Sequence, residues 1–191
     1  MKNILLIGGS TGIGYELSQK LKEDNNLFIA TRDKEKFNDT NIKTNDLNLN
    51  NEFETDWLPD HIDGFVYLPG TINLRPFKGL KSSVFLEDFK INVMGCVEIL
   101  QKVLPKIQAA KNPSIVMFST VAVKLGMPFH SSVSSSKGAI EGLTRSLAAE
   151  FAPKIRVNSI APSILETPLS EKFLNSETKL DNAKNRHPLK E

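Results

Sequence analysis

The run Ile4-Leu5-Leu6-Ile7-Gly8-Gly9-Ser10-Thr11-Gly12-Ile13-Gly14 constrains the fold more than any other stretch. Four consecutive apolar residues read as a strand buried on both faces. Glycines follow at once. After them Ile13, Leu17 and Leu21 recur on one face of a helix that stops near Asp24-Asn25-Asn26. Strand, tight turn and helix N-terminus in that order are the elements of a dinucleotide site. Gly8 permits the sharp exit from the strand, Gly12 the close approach of a pyrophosphate, and Gly14 the packing of helix on sheet. The helix start offers free N–H groups and a partial positive charge to the phosphates. A purely structural turn is the plainer alternative, and the strand and helix on either side weigh against it.

The rest of the chain repeats the strand–helix alternation. Leu27–Ala30 reads as a second strand ending at Thr31-Arg32-Asp33, and Ile42–Thr44 as a weak third ending at Asn45-Asp46-Leu47. Between them Lys34–Asn41 is polar and holds at most a stub of helix. Asn48–Leu58 has room for a short helix, with Phe53 and Trp57 on one face. Ile62–Leu68 is a fourth strand stopped by Pro69-Gly70. A long helix begins at Ser82, with a stripe of Phe85, Phe89, Val93, Val97, Leu100 and Leu104. Asn92 lies in its middle, and Pro105 bends or ends it. Ser114–Phe118 is a fifth strand running into Ser119-Thr120. A loop then leads to a serine-rich helix entrance at Ser131–Ser136 and a helix that stops at Pro153. Ile155–Ile160 is a sixth strand ended by Ala161-Pro162, and Leu165–Glu191 is a polar, helical excursion. Ser131, Ser132 and Ser134 read as helix caps. This alternation predicts an α/β fold with a parallel sheet covered by helices on both faces.

Composition excludes several classes. A chain of 191 residues suits one α/β domain with a real core. The net charge of +2 is too near balance to argue for nucleic-acid or membrane partners, and none is expected. One cysteine, Cys96, rules out an internal disulfide and suits a reducing cytoplasm. His61, His130 and His187 show no metal-ligand spacing.

The spacing Gly8-x-x-x-Gly12-x-Gly14, with Ile13 between the last two glycines, resembles the short-chain dehydrogenase/reductase family. Further segments resemble it too: Asp46-Leu47, Asn92, Lys137-Gly138-Ala139, Ile155 through Pro162, and Thr167-Pro168. Leu143-Thr144-Arg145-Ser146-Leu147-Ala148 and the sixth strand look most like the 3-oxoacyl-(acyl-carrier-protein) reductases. The resemblance implies a Rossmann-type three-layer αβα sandwich with strand order 3-2-1-4-5-6. It implies one dinucleotide-binding domain over residues 1–191, with the family's last strand and helix absent from it. It implies a nicotinamide cofactor held by Gly8, Ser10, Thr11, Gly12, Ile13, Gly14, Arg32, Asp46, Leu47, Gly70, Lys137, Pro162, Ile164 and Thr167. It implies catalysis by Lys137, by Asn92 and by Thr120 as the hydroxyl that polarises a carbonyl. The partners so implied are a small-molecule or acyl-thioester carbonyl substrate and further copies of the chain, paired through Ser82–Leu104 and Ser134–Phe151 into a homodimer or homotetramer.

Cofactor choice follows from charge. An NAD site places a carboxylate at the end of the second strand, and an NADP site a cation. Arg32 offers a guanidinium fork to a 2′-phosphate, so NADP(H) is favoured over NAD(H). The alternative is a solvated loop charge.

Three departures from the family pattern stand out. The family's proton-donating tyrosine lies four residues before the lysine, where this chain has Val133. Its Asn-Asn-Ala-Gly after the fourth strand is here Tyr67-Leu68-Pro69-Gly70, without the amides that stiffen the active-site backbone. Its Pro-Gly after the sixth strand is here Pro162-Ser163. His130, seven residues before Lys137, has a pKa suited to replacing the tyrosine, or else is a loop histidine at a helix entrance. Three activities remain open on these residues: an NADP(H)-dependent carbonyl reductase, a double-bond reductase, and a nucleotide-binding pseudoenzyme with a sensing or assembly role.

Overall fold

A computed structural model describes residues 1–37, 41–187 and 189–190. Its frame is a six-stranded sheet in the order β3-β2-β1-β4-β5-β6. The strands are β1 (Lys2–Ile7), β2 (Asn25–Thr31), β3 (Ile42–Asp46), β4 (Gly64–Tyr67), β5 (Ser114–Phe118) and β6 (Arg156–Ile160). Every pairing is parallel, with Ile7 beside Ala30 on one side and Tyr67 on the other. The order reverses between β1 and β4, so the crevice beyond their carboxyl ends is a topological switch point, where open α/β sheets bind ligands.

Alternate residues of each strand enter different cores. Leu5, Ile7, Phe28, Ala30, Phe65, Tyr67, Ile115 and Met117 pack on one face against α3 (Gly95–Gln108) and α5 (Ser131–Phe151). Leu6, Leu27, Ile29 and Val66 pack on the other against α1 (Gly12–Leu21). Burial on both faces explains why β1 and β2 read as unbroken apolar runs.

Several expectations are corrected. The stretch 48–58 forms no helix. Asn48 accepts the Asn50 N–H through its side chain at 2.9 Å, an Asx turn that competes with a helical start. Leu49, Phe53 and Trp57 still pack on the core, Trp57 lying 6.1 Å from the Phe28 ring. The described part of the 34–41 segment is a turn; Asn38, Asp39 and Thr40 lie outside the described residues. The long helix is three pieces in series: α2 (Ser82–Phe89), a π-helical turn (Lys90–Met94) and α3. It runs past Pro105 to Gln108, its inner face fixed by the fully buried Val103 and Ile107. The expected loop after β5 contains a short helix, α4 (Ala122–Leu125). The region after β6 carries α6 (Glu171–Leu174) and α7 (Glu177–Lys184). Among the described residues no helix is long and apolar enough to cross a membrane.

Candidate active site

The glycine turn is built on backbone conformations that side chains oppose. Gly8 has φ +81° and Gly12 φ +53°, both in the left-handed region. The Gly8 N–H donates to the Ala30 carbonyl at 2.8 Å, tying the turn to β2. A Cβ on Gly14 would run into the Gly8 carbonyl oxygen and come within 3.0 Å of the Gly9 α-carbon. The first turn of α1 therefore lies directly on the loop that precedes it. Thr11 stands before α1 in extended conformation, and its side chain makes no capping bond. Without that cap bond the helix start keeps N–H groups free of Thr11, which suits an anion in that place. Across the crevice Thr167 comes within 3.1 Å of where a Gly12 Cβ would stand, so the segment after β6 closes over the turn. Thr167 is fixed by Ser170, whose hydroxyl accepts the Thr167 N–H at 3.1 Å. Pro162 is tied to the β5 exit through the Val121 N–H, at 3.1 Å.

At the β2 exit Arg32 is exposed. Its acidic neighbours are occupied: Asp33 by Lys36 at 3.5 Å and Asp46 by Lys34 at 2.7 Å. Lys36 also donates to the Ser10 carbonyl of the glycine turn at 3.1 Å. Both lysines belong to the polar segment that the sequence offered as at most a stub of helix. Leu47 is held by its N–H on the Thr31 carbonyl at 3.0 Å.

At the other end of the crevice Asn92, Gly70 and Lys137 meet. A Cβ on Gly70 would stand 3.2 Å from Asn92 Oδ1 and 3.5 Å from Lys137 Nζ, so the bare α-carbon separates the two side chains. Asn92 is fully buried in the π turn. π turns recur at functional sites because the extra residue re-aims a side chain. Its amide donates to Asp88 O at 2.8 Å, Thr71 Oγ1 at 2.9 Å and Ser136 Oγ at 3.1 Å. Tyr67 supports the same turn: its phenol donates to the Ile91 carbonyl at 2.6 Å. Burial pushes that phenol's pKa above its ordinary value. Burial lowers the pKa of Lys137 to about 8, with the neighbouring Cys96 opposing the effect. The same burial pushes the Cys96 thiol up to about 12.

Thr120 lies at the β5 exit, where its Oγ1 accepts the Ala122 N–H at 3.3 Å. Ser119 beside it points elsewhere, donating to Glu141 at 2.7 Å. Val133 is buried one helical turn before Lys137 and carries no exchangeable proton. His130 stands at the head of α5, its Nδ1 2.7 Å from the Pro128 carbonyl. It lines a cavity of about 310 Å³ with Phe77, Val123, Met127, Phe129 and Ser134, a lining that includes none of Thr120, Asn92 and Lys137. The serines are not caps, because the segment folds with His130 in the cap position. Ser132 donates into α2, while the hydroxyls of Ser131 and Ser134 are buried without a partner among the described residues.

A switch-point crevice, a glycine turn under a helix start and a buried lysine beyond it define a Rossmann-type α/β protein. The comparisons narrow this class. The enoyl-(acyl carrier protein) reductase family model matches residues 47–191, and the chain belongs to this family of short-chain dehydrogenases/reductases. The 3-oxoacyl-[acyl-carrier-protein] reductase FabG of Thermotoga maritima is 37% identical over 84 residues, 44% of this chain and 34% of that protein. Cyclopentanol dehydrogenase of Comamonas testosteroni is 29% identical over 118 residues, 61% of this chain and 47% of that protein. The chain thus spans under half the length of these curated relatives. Among solved structures, ElxO with NADP bound superposes with a TM-score of 0.86 at 26% identity, covering 100% of this chain and 86% of that one. A tyrosine-to-phenylalanine variant of ElxO with NADPH bound superposes equally well.

Proposed function

We propose that the chain binds NADP(H) in this crevice and reduces a carbonyl, either a 3-oxoacyl group or a small ketone. The observation that carries the reading is the glycine cradle, closed to any side chain at Gly14 and facing an uncapped helix start. Gly8, Ser10, Thr11, Gly12, Ile13 and Gly14 hold the pyrophosphate. Arg32 takes the 2′-phosphate, and the pairing of Asp33 and Asp46 with lysines removes the repulsion two free carboxylates would exert there. Asp46 and Leu47 border the adenine. Gly70, Lys137, Pro162, Ile164 and Thr167 hold the nicotinamide half.

The cofactor supplies a hydride when bound. The chain's residues position and polarise: Thr120 donates a hydrogen bond to the carbonyl oxygen, Asn92 orders a water, and Lys137 keeps a positive charge beside the ribose. The proton comes from that water, since His130 faces the cavity beside Phe77 and Met127. ElxO holding NADP supports the cofactor assignment, and the FabG and cyclopentanol dehydrogenase likenesses support a carbonyl or alcohol substrate.

Val133 favours a second reading, a nucleotide-binding protein that has lost turnover. NADPH and NADH titrations followed by a panel of carbonyl substrates separate the two. Turnover that falls in Lys137→Ala supports the reductase; tight NADPH binding with no turnover on any carbonyl supports the second reading. Activity gained by Val133→Tyr would show that only the acid is missing.

Self-association belongs to the same proposal. Leu86, Phe89 and Met94 stand exposed on the long helix, a surface suited to pairing copies of the chain. Sedimentation showing a monomer would refute it. The buried single cysteine goes with a cytoplasmic setting.

A further inference from the structure

Asp88 lies next to the end of α2 and is fully buried. Its carboxylate accepts three hydrogen bonds, from Thr71 Oγ1 at 2.6 Å, Asn73 Nδ2 at 2.7 Å and Ser132 Oγ at 2.6 Å. All three donors are uncharged. Two belong to the turn after β4 and one to the first turn of α5. Through Thr71 the cluster reaches Asn92, whose amide donates to the Thr71 hydroxyl while its oxygen accepts the Thr71 N–H at 3.3 Å. Asn92 in turn holds Ser136, the residue before Lys137.

Burying a carboxylate is costly, and apolar packing would join the same elements at less expense. What a carboxylate adds is direction: three donors must meet two oxygens in fixed places. The turn it fixes follows Tyr67 and Leu68, which stand where the family pattern has its stiffening amide side chains. That turn includes Gly70, the point at which Asn92 and Lys137 meet.

We propose that Asp88 is a positioning residue for the nicotinamide end of the crevice: it locks the Gly70–Asn73 turn to the first turn of α5 and so sets Asn92 and Lys137 on either side of Gly70. It acts through Thr71 and Ser132 and touches no ligand. The assignment rests on reading that end as the nicotinamide half-site.

The test separates the two halves of the dinucleotide. Asp88→Asn keeps the shape but turns a donor toward Ser132, whose hydroxyl must reverse. Thr71→Val keeps the shape and cuts the path from the Asp88 carboxylate through the Thr71 hydroxyl to Asn92, leaving the Asn92 bond to the Asp88 carbonyl in place. Asp88→Ala strands one buried and two half-buried donors and threatens folding, so the two near-isosteric variants carry the experiment. Each is titrated with NADPH and with 2′,5′-ADP, which lacks the nicotinamide half. The expected result is NADPH weakened roughly tenfold, the scale of one net hydrogen bond, with 2′,5′-ADP within about twofold of wild type. The Asn92 side-chain amide signals in the ¹⁵N spectrum shift in both variants. Unchanged NADPH binding overturns the proposal, and so does equal weakening of both ligands, which a merely structural role would give. Wild-type protein that binds neither ligand overturns the site reading itself, a result distinct from a wild type that binds and variants that show no split.

Discussion

Lys137 offers the most quantitative test of how site and stability are linked. The residue is 8% exposed, and burial brings its pKa down from 10.5 to about 8. At about 1.4 kcal/mol per pH unit, holding that charge at pH 7 costs the fold about 3 kcal/mol. The sign follows from proton counting. Between pH 8 and 10.5 the unfolded chain keeps the lysine proton that the folded chain has lost. Stability contributed by this group therefore rises with pH across that window. Replacing the side chain with an apolar one of similar length removes the penalty. Lys137→Met is expected to stabilise the chain by about 3 kcal/mol at pH 7, and by only about 1 kcal/mol at pH 10, where most of the native-state charge is already gone. Cys96 acts in the opposite direction above pH 9, but it is present in both proteins and largely cancels in the difference. Urea unfolding of wild type and variant at both pH values measures it, with equal slopes as the control. Dinucleotide affinity in the variant is expected to fall. A variant less stable than wild type at pH 7, or a difference that does not shrink with pH, would refute the reasoning.

Two glycines are expected to behave oppositely. Gly14→Ala drives a methyl into the Gly8 backbone and should cost about 3 kcal/mol together with dinucleotide binding. Gly142→Ala, in the middle of α5 with nothing within 4 Å of its new methyl, should stabilise by about 0.5–1 kcal/mol; thermal melts check both. Arg32→Ala should weaken NADPH roughly tenfold to a hundredfold through a lost charged hydrogen bond while leaving NADH unchanged, as read by calorimetry. Tyr67→Phe leaves the Ile91 carbonyl of the π turn without its buried donor and should cost about 1–3 kcal/mol, with faster amide exchange confined to residues 90–94.

The fold was legible because its signals are local. Buried parallel strands show as apolar runs, and the glycine spacing marks backbone that only glycine adopts easily, as φ at Gly8 and Gly12 confirms. The strand order came with the family resemblance, and the sheet has that order. The expected helix over 48–58 failed because the Asn48 side chain takes the Asn50 N–H in a turn, while Phe53 and Trp57 pack on the core just as well without a helix. The Asp88 cluster was not legible. Its members come from positions 71, 73, 88 and 132, and no periodicity connects them. Lys34 and Lys36 were hidden for the same reason, since their partners Asp46 and Ser10 are brought to them only by the β1–β2–β3 pairing. His130 shows the converse. Its spacing from Lys137 suits a shared helix face, yet it stands at the helix head against the Pro128 carbonyl and lines a different cavity.

The central claim is that the Gly8–Gly14 turn and Arg32 together hold an NADP-type dinucleotide. Calorimetric titration of the purified chain with NADPH and with NADH tests it most directly. Binding of NADPH at least tenfold tighter than NADH, lost in Gly14→Ala, is the expected result, while no binding of either nucleotide, or NADH bound as tightly as NADPH, would contradict it.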